Sequence, residues 1–174
     1  MRRARHVLGY SLPRHCHDTA ISNFWSVSSV NRPAYETAAN RDAEREIVEA
    51  WISHRWPGKR TARKFPTGPR YCIDYGLYSG FDNLMAVAEI KDRGAQYATV
   101  ILGASKMHEL IRWMRNGTPA YFVVRIPRGI FEYRITVDVT HLGIKLGGRS
   151  DRNDSNDMEP VYHIPMDYFT KVTP

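Results

Sequence analysis

The spacing of apolar and polar residues changes period several times along the chain, and each change marks an element. Residues 1–39 carry no clear period, because Pro13, Pro33, several serines and scattered arginines interrupt every run. They read as a basic, irregular N-terminal arm, in which Phe24-Trp25-Ser26-Val27 is the stretch able to dock or to form a short strand. From residue 40 a helical period takes over, with Ala43, Ile47, Ala50 and Trp51 on one face. Asn40 is the expected N-cap. Asp42, Glu44 and Glu46 crowd the first turns, where the helix dipole favours acids, and Pro57-Gly58 ends the element. A helix is therefore expected over residues 40–54.

Residues 55–70 hold Arg55, Lys59, Arg60, Arg63, Lys64 and Arg70 with no acid among them. Residues 71–77 and 84–91 read as two strands joined by the turn Tyr78-Ser79-Gly80-Phe81-Asp82-Asn83, a β-hairpin. A short strand is expected over 97–102. A helix follows over 104–116, with Met107, Leu110, Ile111 and Met114 on one face, Asn116-Gly117 at its end and Pro119 beyond. The apolar run 120–126 reads as a central strand, and Pro127-Arg128-Gly129 turns the chain into another over 130–137. A polar loop, 147–157, precedes a last short strand over 161–165. The order α-β-β-β-α-β-β describes an α/β sandwich with a mixed sheet, giving an arm at 1–39 and an α/β domain at 40–174.

Composition narrows the class. A chain of 174 residues fits one compact domain, and 43% hydrophobic with 25% charged residues is an ordinary globular mix. No apolar run approaches the roughly 20 residues that span a bilayer, so no membrane association is expected. The net charge of +7 favours an anionic partner, above all nucleic acid. Two cysteines, Cys16 and Cys72, make no disulfide framework, which suits a reducing, cytoplasmic compartment. The start Met1-Arg2-Arg3-Ala4-Arg5-His6 is basic but lacks the apolar core of a secretory signal; an Arg- and Ser-rich start also matches an organelle transit peptide.

The chemistry concentrates in the hairpin. Strand side chains alternate, so Glu89 and Lys91 share a face, with Val87, while Ala86, Ala88 and Ile90 pack the other side. The hairpin brings Asp74 beside Glu89. Two carboxylates and an ammonium at the end of an apolar hairpin suit phosphodiester hydrolysis, in which hydroxide must attack a negatively charged centre. A hard divalent cation prefers oxygen ligands, and Asp74, Glu89 and the backbone carbonyl of Ile90 would supply three. Lys91 would orient a water or neutralise charge on the phosphate. An acid-x-Lys triplet on a strand is most often a solvated face. In the otherwise apolar run Leu84–Lys91, however, such charge costs energy unless it is paired or bound to metal.

A helix with a Glu, a strand with Asp, a strand ending in Glu-x-Lys and a further helix resemble the PD-(D/E)xK nuclease superfamily over about residues 40–137. Ile73 stands where the name-giving Pro would be. The tail Gly147-Gly148-Arg149-Ser150-Asp151-Arg152-Asn153-Asp154, with Glu159-Pro160-Val161, is similar to phage-encoded members. The resemblance implies a restriction-endonuclease-like core, a central mixed β-sheet flanked by helices, and Mg²⁺- or Mn²⁺-dependent hydrolysis. It also implies a first-helix Glu assisting the metal. Glu44 is the choice, since Glu46 lies further round and Glu49 points away; compensation of the helix dipole explains Glu44 equally well. Lys106, in the first turn of the later helix, matches the place where such folds carry a Lys, Gln or Tyr that contacts phosphate; its alternative is a solvated lysine.

Within the basic run Arg60, Arg63, Lys64 and Arg70 form a candidate phosphate-binding strip, Lys64 foremost, with a solvated loop as the alternative. His15-Cys16-His17 lacks a second ligand pair for zinc. The loop Asp151-Arg152-Asn153-Asp154-Ser155-Asn156-Asp157 lacks the Gly and Glu of a calcium loop. No Gly-rich nucleotide cradle or nucleophile elbow occurs. The pattern therefore leads to a metal-dependent nuclease acting on nucleic acid, DNA foremost, in phage or bacterial DNA processing, recombination or repair. Two rivals are a non-catalytic nucleic-acid-binding module of the same fold and an interaction protein whose basic face takes an acidic partner.

Overall fold

The computed structural model describes residues 37–58, 60–65, 73–148 and 158–172. All of them fall in one compact unit, Ala34–Pro174. Most of the expected arm, His15-Cys16-His17, Cys72, Lys59, Arg70 and the loop Asp151–Asp157 lie outside the described residues.

The first helix, α1, is Ala38–Arg55. It starts two residues before the expected position because Thr37, not Asn40, caps it: the Thr37 hydroxyl accepts the Asn40 N–H at 3.2 Å. The strands are β1 (Arg60–Lys64), β2 (Tyr75–Ser79), β3 (Leu84–Asp92) and β4 (Thr99–Gly103). Helix α2 (Ala104–Arg115) follows β4 without a break. Next come β5 (Ala120–Ile126), β6 (Gly129–Arg134), β7 (Gly143–Gly148), β8 (Met158–Pro165) and β9 (Thr170–Lys171). No helix among the described residues is long and apolar enough to cross a membrane.

Six strands form one sheet in the order β1-β2-β3-β5-β6-β9, and three form another in the order β4-β8-β7. The large sheet is mixed: β3 and β5 run parallel at its centre, and the other pairs are antiparallel. The expected α/β architecture with helices flanking a central mixed sheet is observed. The second sheet and the strand nature of residues 60–64 were not anticipated. Strand β1 alternates half-buried Arg60, Ala62 and Lys64 with exposed Thr61 and Arg63, an edge strand whose charges discourage further pairing. In the expected 130–137 strand, pairing stops at Arg134.

Alternation sorts the core into two layers. Ala86, Ala88 and Ile90 of β3 join Tyr121 and Val123 of β5 beneath Ile47, Val48, Trp51 and Ile52 of α1. Val87 of β3 and Phe122 and Val124 of β5 face the opposite way, against Met107, Leu110 and Ile111 of α2 and Val100, Leu102, Tyr162 and Ile164 of the second sheet. Each central strand is buried on both faces, as parallel strands require.

Helix α1 is held by chemistry as well as packing. Trp51 makes edge contacts with Trp56 and Tyr121 at centroid distances of 5.1 and 5.4 Å. Its indole N–H donates to Glu132 of β6 at 2.6 Å, and the Arg55 Nε–H donates to the other oxygen at 3.0 Å. Glu132 is buried and matched by these two donors. Glu132→Ala should lower unfolding free energy by roughly 2–4 kcal/mol, because it leaves the Trp51 N–H buried without an acceptor. Trp51→Phe removes the N–H, strands one carboxylate oxygen and opens a cavity in a fully buried site, so it should destabilise as well. Urea melts of the two variants check both losses; near-zero losses would deny the clamp.

Candidate active site

The site begins where β2 stops. Tyr75 pairs with Ala88 as the last β2–β3 pair, so Asp74 lies directly beyond the ladder, opposite Glu89. The Val87 and Arg93 amides donate to Pro119 and Arg125 carbonyls on the β5 side. Odd-numbered residues of β3 therefore turn their amide groups toward β5, and even-numbered residues turn theirs toward β2. The Ile90 amide faces the edge that β2 has vacated, and Asp74 takes up its N–H through Oδ2 at 3.0 Å. The main chain of Asp74 is fixed in turn by the Phe65 N–H, which donates to its carbonyl at 2.8 Å. A carboxylate thus replaces a missing strand partner, and the Ile90 carbonyl is directed to the same open edge.

Glu89 is 6% exposed, on the face of Val87 that looks toward α2. Lys106, in the first turn of α2, reaches down to both acids: its ammonium lies 2.6 Å from Glu89 Oε2 and 3.3 Å from Asp74 Oδ1. Burial, then the Asp74 charge, raises the Glu89 carboxyl to about 8, against the opposing pull of Lys106 and Lys91. Burial alone would lower the Lys106 ammonium, but the two carboxylates outweigh it and raise it. Lys91 is half-buried, two residues beyond Glu89 on the same strand, and its charge acts on Glu89.

Asp74, Glu89, Lys91 and Lys106 are therefore brought together, with the Ile90 backbone beside them. Glu44 has a different setting. It lies on α1, which covers the opposite face, and pairs with Lys64 at 2.8 Å; Lys64 stands opposite Tyr75 on that same face. Of the other helix acids, Glu46 reaches Arg125 at 3.3 Å, and Glu49 is exposed. Arg63 is exposed, pairs with Asp82 of the β2–β3 turn, and lies 4.6 Å over the Tyr78 ring. Arg60 is half-buried among Trp56, Leu77, Met85 and Tyr121.

The bridging role of Lys106 was not read from the sequence. The available signal was Gly103, which joins β4 to α2 with no loop and so starts the helix above the hairpin. Among the described residues no group of three or more His, Cys, Asp or Glu side chains gathers as a metal centre. The donor set nevertheless fits a hard divalent ion. Two facing carboxylates, one buried with a strongly raised pKa, surround a position already held by a cation, and magnesium commonly takes only one or two protein carboxylates.

A family model described as "Phage putative PDDEXK endonuclease" matches residues 30–172. Among solved structures, a Holliday junction resolvase from the archaeal hyperthermophile Archaeoglobus fulgidus matches with 20% identity over 76% of this chain and 95% of that one, at a TM-score of 0.44. No curated protein matches.

The raised carboxyl makes a prediction for the metal-free protein. Its folded pKa, about 8, exceeds the ordinary 4.5, so the folded state holds a proton that the unfolded state releases between those values. This group's stabilising contribution is complete below about pH 4.5 and is lost as pH rises toward 8. In EDTA the melting temperature should therefore carry a component that falls over that interval, and Glu89→Gln, uncharged at every pH, should flatten it. Parallel profiles for parent and variant would refute the assignment.

Proposed function

The chain belongs to the phage PDDEXK endonuclease family of the PD-(D/E)xK nuclease superfamily, and from that premise we propose that it is a metal-dependent nuclease hydrolysing phosphodiester bonds in DNA. The observation that carries this reading is the convergence of Asp74 and Glu89 on a single ammonium at the open end of the hairpin. In this reading residues 1–39 are a basic arm joined to a nuclease-like domain, and the setting is phage or bacterial DNA processing, recombination or repair in the cytoplasm.

Asp74, Glu89 and the Ile90 carbonyl would hold Mg²⁺ or Mn²⁺. When bound, such an ion polarises the phosphate and lowers the pKa of a coordinated water. The chain's own groups do the rest. Lys91 sets a positive charge on the Glu89 face, where it orients the attacking water or offsets charge growing on the phosphate. Lys106 balances the two acids and offers a second ammonium to phosphate. The Ile90 N–H fixes one Asp74 oxygen, so this carboxylate keeps its direction. Glu44 acts at a remove, tying Lys64 of β1 to α1.

Glu89→Gln and Asp74→Asn should abolish Mg²⁺-dependent cleavage of labelled DNA with the circular dichroism spectrum unchanged. Lys91→Ala should slow turnover by on the order of 10²–10³-fold while metal still binds. Binding of uncut DNA should survive in all three, since the cations of β1 are untouched, and in the two acid variants the lost carboxylate charge also lessens repulsion of phosphate. If Glu89→Gln cuts at the parent rate, the nuclease reading fails and the non-catalytic binding module takes its place.

The cations of residues 55–70 would contact the DNA backbone, and their pairing grades them. Arg63 exchanges an exposed carboxylate, Asp82, for a phosphate at little cost, whereas Lys64 is half-buried with Glu44. Arg63→Ala should make the slope of log affinity against log salt shallower by about 0.9. Lys64→Ala should change it less. Unchanged slopes in both would show that β1 faces away from the substrate.

A further inference from the structure

Helix α2 carries Lys106 in its first turn, yet its N-terminus has no cap from its own neighbouring side chains. Gly103 is the N-cap and has no side chain to offer; no acid stands in the first turn. The positive end of a helix dipole ordinarily attracts a capping oxygen or a carboxylate. The carboxylate comes from another sheet. Glu159, on β8, stands over the β4–α2 junction, where its Oε2 accepts the Ser105 hydroxyl at 3.3 Å. Gly103 faces Val161 in the β4–β8 ladder, so the extension of that ladder brings Glu159 toward the first turn of α2.

The junction is shaped around this carboxylate. A Cβ on Gly103 would lie 2.5 Å from Glu159 Oε1 and 3.0 Å from its Cδ. The backbone of Gly103 (φ −55°, ψ 141°) is open to any residue, so a side chain there would displace the end of the exposed Glu159 side chain rather than strain the main chain. Ser105 immediately precedes Lys106, whose ammonium must arrive between two acids whose own positions are fixed by the hairpin.

We propose that Glu159 is a positioning residue for the Asp74–Glu89–Lys106 centre: its carboxylate closes the first turn of α2 from β8 and thereby sets Lys106 between the two acids. It acts through Ser105 and the helix end, and has no contact with substrate. The proposal concerns the geometry of the centre, and only its kinetic consequence rests on the nuclease reading.

The test follows Lys106 directly. The full chain, without metal, is treated with an amine-acetylating reagent, and the modification rate of each lysine is read by mass spectrometry. In the parent, Lys106 reacts slowly because it is buried in its double ion pair. In Glu159→Ala its rate should rise roughly fivefold, the factor set by losing a helix-end interaction of ordinary strength. Lys64, paired with Glu44 on the other face, should keep its rate and serves as the control for general loosening. Glu159→Gln keeps an acceptor for Ser105 but not the charge, and should fall between parent and Ala. Gly103→Ala, which pushes the carboxylate aside, should mimic Glu159→Ala, and the double variant should react no faster than either, since both remove one contact.

The kinetic arm is cleavage of labelled DNA, in which Glu159→Ala should lower kcat with KM little changed. An unaltered Lys106 rate in Glu159→Ala, an equal rise at Lys64, or additive effects of the two single substitutions would overturn the proposal. If the parent cuts no DNA, the nuclease reading falls, and the acetylation rates still decide the role of Glu159.

Discussion

Burial of Glu89 is the constraint to which the surrounding elements answer. A carboxylate placed between Val87 and Lys91 on a strand covered on both faces must be neutralised or matched by positive charge. Most of the match comes from α2, which covers the Glu89 face of the sheet, with a smaller share from Lys91. Helix α2 can deliver Lys106 only if it starts directly above the hairpin, which is why β4 runs into it through Gly103 alone. Strand β4 has no partner in the large sheet; β8 gives it one, β7 completes the small sheet, and Glu159 comes with β8. The small sheet thus has a physical purpose: it holds the end of a helix whose second residue, Ser105, adjoins the lysine that the buried acid needs.

The two buried acids among the described residues illustrate what separates a clamp from a site. Glu132 meets two donors, the Trp51 indole and the Arg55 guanidinium, one for each oxygen. Glu89 shares its nearest cation with Asp74. One ammonium between two carboxylates leaves negative charge in excess, and the burial that stabilises the fold makes that excess costly. The raised Glu89 carboxyl expresses the cost as a retained proton. A proton and a lysine both offset this charge, and in the proposed reading a divalent ion would offset it too.

Much of this was legible in the chain, for identifiable reasons. Alternation in Leu84–Asp92 separates Glu89 and Val87 from Ala86, Ala88 and Ile90 with no long-range information, and the structure sorts them the same way. Met107, Leu110 and Ile111 announce α2 by spacing alone. What escaped depends on partners distant in sequence. Strand β1 reads as a basic loop because an edge strand needs few apolar residues, and its pairing with β2 is set by register, not composition. Strand β7, Gly143–Gly148, is rich in glycine and exposed, so no periodicity marks it. Glu159 meets Ser105 across 54 positions, and no local pattern encodes such a contact. The pairing of Glu44 with Lys64 likewise depends on β1 being a strand at all.

The distribution of positive charge follows the same logic. The chain carries +7, yet the cations nearest the hairpin's outer edge are already engaged, Arg63 with Asp82 and Lys64 with Glu44. Exposed pairs of this kind contribute roughly 0–1 kcal/mol, so a phosphate can replace the carboxylate of Arg63 nearly without cost. A half-buried pair resists such exchange because its acid would be left desolvated. Pairing therefore turns an undifferentiated basic stretch into one exchangeable contact and one structural strut. Net charge sets how strongly a polyanion is drawn to the molecule, but it is the burial of each pair that decides which cations are free to meet it. At the centre the arrangement is reversed: burial gathers two acids around one shared cation, Lys106.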